Sequence, residues 1–244
     1  MKSLSIPVII SSIFILCACS DNLYIPNHQA VKLFEKKNEL VLSSSRSFGN
    51  GIGAELGYSL TNNIGVNTAF NRFDISYDDE NNSKFFGDYN WQNELVLFNK
   101  FNNKFYLGLN IGYGIGKYST NNPYFNIDMQ QKYLLPSVGY CFTPKFSIFL
   151  STRRSLVNYQ LHPLVALNSD YDKEMFDKYF QINGIHNRHN YLSEPALTIN
   201  YSLQDIRLQA QMICLSDAPE KMIPINFVVS ASVDLCKLFR NWKK

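Results

Sequence analysis

The sequence is short of charge. Aspartate, glutamate, lysine and arginine supply 18% of its 244 residues, against roughly a quarter in ordinary soluble domains, so a water-facing surface made from it is under-charged. The signs nearly balance, 23 basic against 20 acidic, and that excludes the basic footprint of a nucleic-acid partner. Cysteine is sparse as well. Cys17 and Cys19 stand near the start, while Cys141, Cys214 and Cys236 are scattered and odd in number, which gives neither a disulfide framework nor a metal cluster. The apolar run at residues 4–16 is too short to span a bilayer comfortably. Nothing in the middle of the chain reads as a linker, so a single domain is expected. Against these shortages stand an apolar share of 45% and an aromatic share of 14%.

The first twenty residues read as a targeting segment: Lys2 gives a positive start, residues 4–16 an apolar stretch, and the end is Leu16-Cys17-Ala18-Cys19. That ending resembles the lipobox of bacterial lipoproteins, with an aliphatic residue at minus three, a small one at minus one, and then the cysteine. By this resemblance Cys19 is the lipidated first residue of the mature chain. Cys17 is the poorer acceptor because Phe14 and Leu16 occupy its recognition positions. The competing reading is an uncleaved anchor or a plain signal peptide with a chance cysteine. Removing residues 1–18 takes away Lys2 and leaves 22 basic against 20 acidic side chains, a formal balance of +2.

From Glu39 onward the dominant period is two, the mark of strands with one apolar and one polar face. In residues 105–118, Phe105, Leu107, Leu109, Ile111, Tyr113 and Ile115 oppose Tyr106, Gly108, Asn110, Gly112, Gly114 and Gly116. The same sorting returns at 206–214 and 225–235, and more weakly at 40–48, 53–60, 64–77, 91–100, 131–142, 146–159 and 191–203. About ten strands result, an even number as in bacterial single-chain barrels. Connections alternate in length. Asn62-Asn63, Asn102-Asn103, Pro144-Lys145 and Gln204-Asp205 read as tight turns, whereas 78–89, 119–130 and 162–190 are long polar joins. One rim therefore carries turns and the other most of the loop mass. Within the last join, 170–181 has Met175, Phe176, Tyr179 and Phe180 at helical spacing behind Asp170, read as a small lid or as an irregular loop. Pro136 and Pro195 fall inside strand-like runs, each implying a bulge or a lost ladder bond.

Composition assigns the faces. The polar face is Gly, Ser, Asn and Gln with Glu55, Glu94, Arg153, Glu194, Arg207 and Asp234, unlike the lysine-rich mixture of a wet surface. It suits a narrow hydrogen-bonded interior, and those six charges are read as an interior polar network, since unpaired they are costly. The other face carries Leu, Ile, Val and Phe, with Tyr58, Tyr113, Tyr140 and Tyr201 toward strand ends as an aromatic girdle. The expected architecture is an all-β, antiparallel up-and-down transmembrane barrel of about ten strands. It comprises a signal peptide at 1–18, a lipid-anchored tether at 19–38, the barrel at 39–239 and a basic tail at 240–244.

Three stretches carry a resemblance: YIPN at 24–27 with LFEKKNELVLS at 33–43, LPSVGYCF at 135–142, and SEPALTINYSLQDIRLQAQ at 193–211. Together they resemble an uncharacterised family of outer-membrane β-barrel lipoproteins of the Bacteroidetes type. Asn38 stands where that family commonly has glycine. The resemblance implies fold and an outer-membrane location, and it brings no catalytic residues with it.

No reactive constellation stands out. Asp78, Asp79, His162, His186 and His189 map to the loop-bearing rim, where omptin-like proteases place Asp and His, but polar loops collect such residues anyway and no spacing fixes a base against a nucleophile. His186 and His189 lack a third ligand nearby, and Ser151 and Ser155 have no histidine fixed beside them. The expectation is therefore a non-enzymatic barrel without metal or cofactor, with outer-membrane lipid as its surroundings and loop 162–190 as a surface for an envelope partner. The alternatives are a rim hydrolase acting on peptides or lipids, or a small pore or subunit of an envelope complex.

Overall fold

The computed structural model describes residues 28–31, 34–47, 51–73, 85–120, 125–163, 189–203, 205–215 and 225–242, with the backbone alone at several strand tips. Cys19, Asp78, Asp79, His186 and the 170–181 segment lie outside the described residues. His162 and His189 fall on strand ends where only the backbone is described.

The chain forms a closed barrel of ten antiparallel strands, each paired with its sequence neighbours. They are β1 Leu40–Ser47, β2 Gly51–Ser59, β3 Ile64–Phe73, β4 Phe85–Phe101, β5 Phe105–Thr120, β6 Phe125–Cys141, β7 Phe146–Pro163, β8 His189–Leu203, β9 Ile206–Cys214 and β10 Ile225–Asp234. β1 closes on β10 in register from Val41 opposite Asp234 to Ser47 opposite Val228, so no edge is left open. The stagger of closure follows from the pairing. Starting at Phe70, one route crosses Trp91, Ile115 and Gln130 to Asn158 on β7. The other crosses Ala54, Ser44, Ala231, Leu208 and Tyr201 to Phe146 on the same strand. The two arrive 158 minus 146, or twelve, residues apart, a stagger that accords with strands inclined by about 40°.

One rim is made of turns whose chemistry fits them. Asn102 and Asn103 both have positive φ, 49° and 55°, as a two-residue hairpin with matching twist demands, and the Lys104 N–H donates to the Phe101 carbonyl at 3.0 Å. Thr61 Oγ1 accepts from the backbone of Asn63 and Ile64, and Thr143 Oγ1 does the same for Lys145 and Phe146.

Toward the other rim the wall is uneven. β1, β2, β3, β9 and β10 have 8 to 10 residues, and β4 to β8 have 15 to 18. Much of what the sequence assigns to long joins at 78–89 and 119–130 is strand. A tilted strand crosses hydrocarbon in roughly ten residues, so β4 to β8 are longer than a crossing needs, and inward burial continues along them at Asn90, Met129, Val157 and Tyr159.

Pro136 pairs with Leu109 of β5, and the ladder to β7 lapses only between Leu134 and Ser137. The register is unchanged across the gap, so bonds are lost without a bulge. Pro195 pairs with Thr152 of β7, and the ladder to β9 begins only at the following residue, Ala196, although β9 runs on to Cys214.

Alternation ends earlier than the sequence suggests. The barrel stops at Asp234, not at 239, and helix α1, Leu235–Trp242, takes in part of the expected tail. Asp234 Oδ1 accepts from the N–H groups of Cys236 and Lys237 at 3.0 and 3.2 Å; this N-cap starts the helix directly from the last wall residue of β10.

Burial is inverted relative to a soluble barrel. Inward positions hold Ser43, Asn67, Gln92, Asn110, Gln131 and Thr198, all buried, while Ile52, Phe70, Leu107 and Leu150 point outward and are about half exposed. Aromatics gather at two levels of the outer wall. Near the turns Phe105, Tyr140, Phe142 and Phe146 form a chain of ring contacts at 4.9 to 5.7 Å, and toward the loops stand Phe70, Tyr89, Trp91 and Tyr113.

Candidate functional site

Among the described residues the buried charged and polar side chains gather in the lumen, and its centre is occupied by the chain's own N-terminal segment. The sequence reads 19–38 as a tether. Of that stretch, His28, Gln29, Ala30, Val31 and Phe34 lie buried inside the barrel.

Two kinds of contact hold them. Phe34 packs with Val31, Val41, Val96, Phe98, Tyr106 and Phe149 in an apolar cluster near the turn-bearing mouth, its ring 5.7 Å from that of Phe98. Space for the ring comes from missing side chains: a Cβ on Gly65 would lie 2.3 Å from Phe34, and one on Gly57 2.8 Å. Higher up, every polar group of Gln29 is used. Its N–H donates to Gln211 Oε1 at 2.9 Å, its carbonyl accepts from Gln211 Nε2 at 3.2 Å, its Nε2 donates to the Glu194 carbonyl at 2.8 Å, and its Oε1 accepts from Ser151 at 2.8 Å. The Ala30 carbonyl accepts from Asn110 at 3.0 Å. Buried backbone must find partners, and the lumen wall supplies them.

The six interior charges do not form one network. Arg153 and Glu194 face each other across β7 and β8. The guanidinium donates through Nε to both carboxylate oxygens at 3.1 Å and through Nη2 to Oε2, and it lies 5.5 Å above the Tyr133 ring. The Tyr133 hydroxyl donates to Glu94 Oε1 at 2.8 Å, while Asn67 and Asn110 donate to Glu94 Oε2, each at 3.0 Å. Gly112 makes this crossing possible, because a Cβ there would sit 2.1 Å from Tyr133. Glu55 is joined instead to His28 of the N-terminal segment, Oε1 to Nδ1 at 2.6 Å. Arg207 and Asp234 are elsewhere: with Glu35, Glu39, Asp205 and Lys237 they line a cavity of about 220 Å³ at the turn-bearing mouth. His28 and Gln29 are the residues that sequence reasoning missed. Gly57 and Gly65 on an inward face were a signal for the bulk of Phe34, whereas Gly112 and Gly139 make room for their own cross-strand partners Tyr133 and Phe149, and no glycine marks His28 or Gln29.

One arrangement has the order of a hydrolase triad. Ser230 Oγ lies 3.3 Å from His28 Nε2, and His28 Nδ1 lies 2.6 Å from Glu55. Acyl transfer further needs room for the acyl carbon and donors aimed at an oxyanion. Here all three side chains are buried, Ser230 also bonds Gln209 Oε1 at 3.3 Å, and the surrounding strands are in unbroken register. The triple joins the N-terminal segment to β2 through Glu55 and to β10 through Ser230. Among the described residues no three His, Cys, Asp or Glu stand close enough to bind a metal ion.

No family model matches the chain, and no curated protein matches it. Among solved structures, the KdgM porin is similar over 80% of this chain and 98% of its own, at 9% identity and a TM-score of 0.37. An outer membrane channel from Pseudomonas putida F1 is similar over 86% of this chain and 99% of its own, at 10% identity and a TM-score of 0.44. A loop-deletion mutant of OmpT, an outer membrane protein of Vibrio cholerae, is similar over 91% and 72% respectively, at 11% identity and a TM-score of 0.38. Likenesses this distant leave the activities of those proteins as their own.

Proposed function

We propose that the chain is an integral outer-membrane barrel, lipid-anchored through Cys19, with a non-catalytic binding or accessory role and a lumen closed by its own N-terminal segment. The membrane assignment rests on the outer wall. Its girdle of exposed Leu, Ile, Val and Phe far exceeds the few hundred Å² of contiguous apolar surface that soluble monomers tolerate, and in hydrocarbon only a closed barrel leaves no strand edge unpaired. The observation that carries the closed-lumen reading is the complete satisfaction of Gln29 by groups from β7, β8 and β9.

Conductance across planar bilayers tests it. The wild-type protein carries no steady current, and Gln29→Ala with Phe34→Ala gives channels. Steady wild-type currents that the double variant leaves unchanged would favour the pore alternative and sink this reading.

The Ser230, His28 and Glu55 order favours a hydrolase as the second reading. A fluorophosphonate probe separates the two. The accessory role predicts no labelling of the full chain in detergent, and labelling lost in Ser230→Ala would establish the enzyme.

A further inference from the structure

We infer that the outer wall carries two seats for phosphorylated lipid headgroups, both at the level of the loop-side aromatic girdle. The inference rests on the membrane reading above and adds the chemistry of the lipid.

Few charges face outward. Of the described side chains on the strands, Lys117 and Asp128 stand opposite each other across β5 and β6, and the remaining outward charges are Arg46, Arg72, Lys132 and Arg154, all cationic. They are not scattered. Arg46 and Arg72 flank Ile52 in one cross-strand row. Lys132 lies two residues from Gln130 on β6, and Arg154 four from Asn158 on β7, both in the row that passes through Phe70 and Trp91. With strands about 4.8 Å apart, inclined by about 40° and rising about 3.3 Å per residue, the four cations fall within about 6 Å of one height.

Their pairing matches the relief of the wall. A groove of about 760 Å³ holds Lys132 and Arg154 among Tyr113, Leu134, Leu156 and Tyr191. A second, of about 820 Å³, holds Arg46 and Arg72 among Ile52, Phe70 and Val229. Apart from these cations the linings are mainly apolar or aromatic, with Asn93 and Ser155 in the first groove and Ser44, Ser45 and Ser230 in the second. A cation facing lipid costs several kcal/mol at the bilayer centre and almost nothing at the interface. A shared level among Trp and Tyr is therefore the interface, where the anionic group that meets a protein wall is phosphate. Arginine binds it through paired N–H donors and lysine as a point charge, and the apolar floor of each groove takes the first carbons of the acyl chains.

Native mass spectrometry of the full chain in maltoside micelles tests the assignment, with lipid A and lipid A stripped of its phosphates as probes. Wild-type protein retains two lipid A molecules. Lys132→Gln with Arg154→Gln, or Arg46→Gln with Arg72→Gln, weakens one of the two by about tenfold or more. Dephosphorylated lipid A binds all three proteins alike, and excess inorganic phosphate displaces nothing. Equal binding of the two lipids, unchanged binding by both variants, or displacement by inorganic phosphate would each overturn the inference. Flotation of the same proteins with phosphatidylcholine vesicles keeps the failures apart. Flotation without phosphate dependence removes the seats alone, and failure to float removes the membrane reading and the seats with it.

Discussion

The N-terminal segment is gripped in two ways within seven residues, and the two grips have different consequences. At the mouth Phe34 is held by shape, an aromatic ring in an apolar cluster over Gly57 and Gly65. At mid-lumen Gln29 is held by direction, its four polar groups each matched by a side chain or carbonyl of the wall. Burial of a ring gives much free energy and tolerates small displacement. Hydrogen bonds in a polar lumen give less net energy, because the unfilled site would bind water, but they fix one register of the segment. The mouth accordingly supplies strength and the centre supplies position.

The largest effect should come from the mouth. Phe34→Ala removes a fully buried ring, and aromatic-to-alanine changes in packed cores cost about 3–5 kcal/mol. Urea unfolding in micelles reads the loss. The glycine opposite sharpens the point. Gly65→Ala alone should destabilise, since its Cβ meets the Phe34 ring, yet be tolerated in the Phe34→Ala background. Additive losses in that pair would mean that the ring does not sit over Gly65.

The centre should respond more weakly and in a different observable. Gln29→Ala leaves Ser151 and the Glu194 carbonyl without their present partner in a lumen that water can reach, so the cost is about 1–2 kcal/mol. Its larger consequence is positional: amide exchange at residues 28–31 should quicken while the strands keep their protection. If Gln29→Ala lowered stability as much as Phe34→Ala does, the division between strength and position would fail.

The wall was readable from sequence because solvent imposes its pattern. Phe105 to Ile115 must alternate wherever one face meets lipid and the other the lumen, and Asn102-Asn103 must turn tightly. The plug was not readable. His28-Gln29-Ala30-Val31 is too short to show a period, and its partners Glu55, Asn110, Ser151 and Gln211 come from four different strands, β2, β5, β7 and β9, that only the closed barrel turns toward one point. The direct pairing of Arg153 with Glu194 was hidden for a related reason. The alternation places both inward, but the β7–β8 register is set across the longest connection in the chain, where no turn chemistry fixes the offset. Alternation groups Arg207 and Asp234 with them by face alone; face says inward but carries no height, and these two lie at the mouth.

The smallest expected effect concerns that mouth, where α1 begins. Asp234 accepts two N–H groups of the first helical turn through Oδ1, while Oδ2 lies 3.7 Å from Lys237 Nζ. The ion pair is partly exposed and contributes little, so the cap dominates, and Asp234→Ala should cost about 1 kcal/mol. The cost falls on the helix, not the barrel: protease cleavage or amide exchange at Cys236 and Lys237 should rise while the unfolding midpoint in micelles barely moves. Asp234→Asn keeps a cap oxygen and discards the charge, and it should restore protection at both positions. Failure of that rescue would assign the effect to the Lys237 pair, and the mouth would then be held electrostatically, by a third kind of grip unlike those on Phe34 and Gln29.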